Sequence, residues 1–252
     1  MSQWLVLTIA MAAVCGVVLT ITVLKERRIG EDDDPSETPD VIEYLTMMVG
    51  VVYAIVLGLA IAGVWEARST AEDTVRAEAQ ALHEVSERAR VWPAPVRDTI
   101  RADVNSYVDY VVHKEWPVMA ERGELTQRGG DLLAKVRTDV MEYHPRDDFE
   151  RESYQPLVDQ VAAADSARMA RADAADSTLP GVVWFGLIIG GAISIGVMYT
   201  LQIRRSGREM LMAGLFSALI AFLLFLVWDF DAPFSRGLPA AADPFLQLFP
   251  QK

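Results

Sequence analysis

The chain has 252 residues, of which 52% are apolar and 23% charged, a mixture expected when membrane spans and a polar domain share one polypeptide. Its net charge of -12 argues against nucleic acid or anionic lipid surfaces as partners, since both demand clustered Lys and Arg. A single cysteine, Cys15, rules out an intrachain disulfide and a zinc site built on several thiolates.

Residues 4–24 form a stretch of 21 residues without a charge, long enough as a helix to cross about 30 Å of hydrocarbon. It lacks the basic start of a signal peptide, and Val14 before Cys15 makes a poor lipoprotein box, so it reads as a retained span. Lys25, Arg27 and Arg28 close it. An acidic linker over residues 25–41 comes next, broken by Pro35 and Pro39, in which Asp32, Asp33 and Asp34 are the candidate divalent-cation ligands. They lack the alternating spacing and the glycine of a calcium loop, so the segment reads as a solvated linker.

The second span, residues 42–65, does not stop where its apolar character does. Beyond Glu66, apolar residues recur at Val75, Ala79, Leu82, Val85 and Ala89, and no Pro or Gly intervenes between Val64 and Val91. The pattern predicts one helix that leaves the membrane and continues into water. The polar domain, residues 66–179, reads as helices only. Trp92 and Pro93 break the first helix, and Val96, Ile100, Val104, Tyr107, Val108 and Val111 stripe a second. Pro117, Gly123 and the Gly129-Gly130 pair punctuate the next stretch of chain. Leu132, Leu133, Val136 and Val140 mark a short helix, and a last one from Asp147 carries Phe149, Tyr154, Leu157, Val158 and Val161 before thinning into Ala, Arg and Asp.

Pro180 introduces a third span, residues 181–203, in the first-turn place proline prefers. A basic turn with Arg204, Arg205 and Arg208 leads to a fourth, residues 210–228, and a Pro-rich, aromatic tail closes the chain over residues 229–252. The expected fold is therefore an all-α membrane protein of four transmembrane helices, with a helical soluble domain between the second and third. Short basic loops stay in the cytoplasm, which puts both termini and the polar domain outside. Trp4, Trp65, Trp184 and Trp228 all fall at one end of the threaded spans, and Tyr44 and Tyr199 at the other.

Spans associate in lipid through close packing at small residues. Gly50, Ala54, Gly58 and Ala62 recur every four positions on the second span, Gly186, Gly190 and Ser194 on the third, and Gly214 and Ala218 on the fourth. So small a bundle cannot easily enclose water alone, and a permeation route would lie on the axis of a homo-oligomer. Thr46, Gly50, Tyr53 and Leu57 combine modest polarity with helical spacing and are the candidate pore-lining residues. No ionisable residue lies deep in a span, which weighs against a proton relay. Catalysis has no support: His83, His113 and His144 sit on separate segments outside any zinc-protease pattern, and neither a phosphate loop nor a nucleophile elbow occurs. No enzyme activity, catalytic residue or cofactor is expected.

Three pieces carry a resemblance. They are a Tyr-Val-Val-x-x-Glu-Trp-Pro stretch at residues 110–117, a closing Asp-x-Pro-Phe element at residues 231–234, and an Ala-Glu-x-x-Val-x-x-Glu-Ala run at residues 71–79. With two spans before the helical domain and two after, the chain resembles the bacterial bestrophin-like family DUF4239. That resemblance implies an integral protein of the bacterial cell membrane and, by distant likeness to bestrophins, a pentameric chloride channel. Charge points the other way on selectivity, because residues 66–179 hold 23 acidic against 15 basic side chains and an acidic vestibule concentrates cations. The expected partners are thus the lipid bilayer, further copies of the chain and inorganic ions. The alternative is a non-conducting membrane scaffold or sensor whose acidic domain binds a partner protein or a divalent cation.

Overall fold

The computed structural model describes residues 40–175, 179–201, 207–237 and 242–250. The first expected span, the Asp32, Asp33 and Asp34 cluster, and Arg204 and Arg205 of the basic turn lie outside them. The described residues are helical with no strand: α1 (Asp40–Arg88), α2 (Ala94–Tyr110), α3 (Trp116–Arg122), α4 (Gln127–Met141), α5 (Asp148–Asp173), α6 (Gly181–Leu201), α7 (Gly207–Phe230) and α8 (Asp243–Leu248). They group into two compact units, Met1–Trp65 with Leu179–Asp231 and Glu66–Thr178 with Ala232–Lys252.

Helix α1 is unbroken for 49 residues. Its terminus matches the expected one, with a 3-10 turn at Ala89–Val91 and Trp92 turning extended before Pro93. Four spans are not all seen. Among the described residues two helices are long and apolar enough to cross a membrane, Tyr44–Val91 and Met210–Phe230, while the apolar run of α6, Gly181–Val197, is shorter. Only 17% and 28% of the most apolar windows of those two helices are buried. Soluble cores bury such surface, so these faces are suited to lipid or to other helices embedded in it.

In the first unit Tyr53, Leu57, Ala60 and Val64 of α1 pack with Leu187 of α6 and with Ile220 and Val227 of α7. The second unit has a larger core drawn from α1, α2, α4 and α5: Val75, Leu82, Ile100, Val104, Val136 and Leu157 are fully or almost fully buried. The closing segment is part of this core and not a free tail, since Phe234 and Phe245 are buried in it. Three local readings change. Pro117 does not interrupt a helix but sits in the first turn of α3. The Gly129-Gly130 pair lies inside α4. Phe149, placed on the apolar stripe of the last helix, is 63% exposed.

Candidate functional site

Proline at position 117 has no N–H to give the carbonyl four residues back, and its ring would strike that carbonyl in a regular helix. The chain meets this with one wide turn, a π-helix at Val111–Glu115 closed by the Trp116 N–H donating to the Val111 carbonyl. Such turns recur where a side chain must be aimed. Here the turn carries Glu115 into the core, where it is wholly buried.

Glu115 meets two arginines on one face of α5, three residues apart. Arg168 donates to both its oxygens, Nη1 to Oε1 at 2.6 Å and Nη2 to Oε2 at 2.8 Å. Arg171 donates Nη2 to Oε1 at 3.0 Å. Arg171 also grips Glu78 of α1 through Nε at 2.7 Å and Nη2 at 3.2 Å, and its Nη1 reaches Met119 Sδ at 3.3 Å. The Tyr107 hydroxyl donates to Glu78 Oε1 and accepts from Arg168 Nη1 at 3.0 Å. The Arg171 guanidinium lies 5.8 Å from the centre of the Trp116 ring, close enough for cation–π attraction.

The start of α4 completes the cradle. Thr126 caps that helix by accepting from the Gly129 N–H at 3.2 Å, while its own hydroxyl and N–H donate to Glu115 Oε2 at 2.7 and 3.0 Å. Glycine is required two positions into α4, because a Cβ on Gly129 would lie 2.2 Å from Glu115 Oε2 and 2.8 Å from Arg168 Nη2. Gly123, at φ 71°, ends α3 in the left-handed region and allows the reversal into α4.

Two carboxylates and two guanidiniums make this cluster neutral. Burial would raise the Glu115 pKa, but hydrogen bonds from Arg168 and Thr126 and the charges of both arginines outweigh it and hold the group at about 2. Burial drives Tyr107 well above the usual phenol range, with the Glu78 charge adding to the effect. Glu115 therefore stays ionised and Tyr107 neutral at neutral pH. The arrangement does something mechanical: it ties α1, α2, the π turn, α4 and α5 through charge-assisted bonds, and removing any one partner strands an uncompensated ion in the core.

The apolar unit has its own fixed point. Tyr53 of α1 lies against α6 at Gly190 and Gly191, where added Cβ atoms would come within 2.7 Å and 2.8 Å of its side chain. Its hydroxyl donates to the Leu187 carbonyl at 3.1 Å. At the other end of this unit Asp231 accepts from the Leu179 N–H at 2.8 Å and from Trp184 Nε1 at 3.0 Å.

Of the expected pore-lining residues, Tyr53 and Leu57 are thus buried within their own chain, and Thr46 and Gly50 are half-exposed. Of the small residues expected at helix contacts, Gly190 is used. Ala54, Gly58 and Gly186 are exposed, and Cβ atoms on Gly50, Gly58, Gly186 and Gly214 would meet nothing within 4 Å among the described residues. His113 and His144 are exposed, and His83 lies edge-on to Phe249. Among the described residues no group of three or more His, Cys, Asp or Glu could hold a metal ion.

The motif residues Glu78, Glu115 and Asp231 thus account for both sets of contacts. A family model described as the Bestrophin-like domain matches residues 12–245. No curated protein and no solved structure matches the chain.

Proposed function

The chain belongs to the bestrophin-like family, and from that premise we propose that it is a subunit of an oligomeric ion channel, with α1 of each copy beside a common axis. The observation that carries the reading is α1 itself. One uninterrupted helix is apolar and open along its first half and locked by buried charge at Glu78 in its second. Because α6 and α7 occupy the Tyr53 and Leu57 face, the face left open among the described residues, and offered to a neighbouring copy, is the one carrying Gly50, Ala54 and Gly58, whose small side chains permit close approach. The acidic excess of residues 66–179 favours cations over chloride at the entrance. The basic loops keep the polar unit on the extracytoplasmic side.

The test is reconstitution into liposomes under a potassium chloride gradient, with the mass of the detergent particle measured in parallel. A symmetric oligomer that conducts, with a reversal potential on the potassium side, is the expected result. A monomer, or an oligomer passing neither ion at any voltage, overturns the channel and leaves a scaffold. Sidedness is read by replacing exposed Ser106 with cysteine in a Cys15→Ser background. A membrane-impermeant thiol reagent added to intact cells labels it if the polar unit faces outward.

A further inference from the structure

Helices α2 and α4 pack side by side in the polar unit, and two aspartates face each other across the seam. Asp103 of α2 and Asp139 of α4 are largely shielded, with side chains 13% and 25% exposed. Lys135, one turn before Asp139, donates to Asp103 Oδ1 and lies 3.6 Å from Asp139 Oδ2. One oxygen on each aspartate, Oδ2 in both cases, is buried and has no donor among the described residues. A buried acceptor without a donor is costly, and two like-charged carboxylates across a seam add repulsion.

Lys135 bonds Asp103 but stands too far from Asp139 Oδ2 for a hydrogen bond, whereas one hydrogen placed between the two carboxyl groups would serve both. We propose that Asp103 and Asp139 bind one proton between them, making the α2–α4 seam a proton site whose occupancy sets how tightly those helices hold. Tyr143 donates its hydroxyl to Glu150, and Asp165 of α5 is taken by Arg137 of α4. Asp139 and Glu142 line an open cavity of about 310 Å³ between α2 and α4, which gives Asp139 a route to bulk water.

The direction of each shift agrees with a shared proton. Burial works to raise Asp103, but the bonds to Asp139 and Lys135 outweigh it and hold it below its ordinary 3.8. Asp139 is pushed above 3.8 by its bond to Asp103 and by burial. A raised carboxyl contributes stability that is complete below 3.8 and is lost as pH rises through its folded pKa. A lowered one contributes stability that is complete above 3.8 and is lost as pH falls through its folded pKa. The seam is tightest between those two folded values, with one proton on the pair, and loosens as pH rises through the raised one.

The experiment uses the full chain in detergent, titrated from acid pH, below the ordinary carboxyl range, to neutral pH. Infrared difference spectra should show a protonated-carboxyl stretch that fades on raising pH and is absent from Asp139→Asn, whose amide donates permanently to Asp103. The melting temperature of the native chain should fall over the same interval, and that fall should be absent in the variant. An infrared band and a melting slope unchanged by Asp139→Asn would overturn the proposal. Should that variant not fold, Asp103→Asn must remove the same band, and its persistence there is equally fatal.

Discussion

The two units hold helices together by opposite means, although one helix belongs to both. In the polar unit the unfolded reference is water, apolar burial is available, and four formal charges are nonetheless buried with almost complete pairing around Glu115. The apolar unit shows a hydroxyl, a carboxylate and a pair of glycines against an aromatic ring. Lipid tails are as apolar as leucine, so burial drives no association there and closeness of fit decides it. Water makes buried charge expensive to isolate, which turns a neutral ionic cluster into an all-or-none lock.

Breaking the lock should give the largest effect. Glu115→Gln keeps the shape and leaves two guanidiniums undercompensated, at an expected cost of about 3–5 kcal/mol. Thermal unfolding followed by the fluorescence of Trp92 and Trp116 measures it, and an unchanged midpoint refutes the lock. Acid attacks the same group. With its folded pKa near 2 against an ordinary 4.5, Glu115 stabilises the fold fully above 4.5, and that contribution disappears as pH falls toward 2. The acid arm of a pH–stability profile should therefore flatten in Glu115→Gln.

Smaller effects separate packing from charge. Gly129→Ala gains about 1 kcal/mol of helix propensity yet drives a methyl group into Glu115, so a net loss of about 1–3 kcal/mol is expected. A stabilised variant would show that the glycine is not required by the cradle. In the apolar unit Gly190→Ala should cost a similar amount by displacing Tyr53, and pairing it with Tyr53→Ala should recover part of the loss in a double-mutant cycle. Additive costs would mean the two do not touch. The least effect, about 1 kcal/mol or less, belongs to Tyr53→Phe, which loses a single hydroxyl bond inside the bundle. Resistance to dissociation in increasing denaturing detergent would resolve it.

How legible the locking residues were depends on what a stripe is taken to contain. Buried positions of α1 and of the turn that ends it include Ala71, Val75, Glu78, Leu82, Val85 and Ala89, at alternating steps of four and three. Those of α2 and its π turn run Val104, Val108, Val111 and Glu115, and those of α5 run Leu157, Val161, Ala164, Arg168 and Arg171. Each charge occupies a place the apolar rhythm assigns to the core. A rhythm read through hydrophobic residues alone passes over Glu78, Arg168 and Arg171. The interruption of an apolar stripe by a carboxylate on one helix and a guanidinium on another was the available signal. The family-like motifs already held Glu78, Glu115 and Asp231, without showing what they bind.

Sequence by itself determined the all-helical class, the uninterrupted α1, the break at Pro93 and the membership carried by three short motifs, because each depends on neighbours a few residues apart along the chain. Tertiary structure alone decided that Tyr53 turns inward against Gly190 and Gly191, that the closing segment enters the polar core, and that Glu115 meets arginines 53 and 56 residues downstream. Backbone hydrogen bonds and helical period act locally. The pairing of buried charges depends on which helices the whole core brings within about 3 Å of one another.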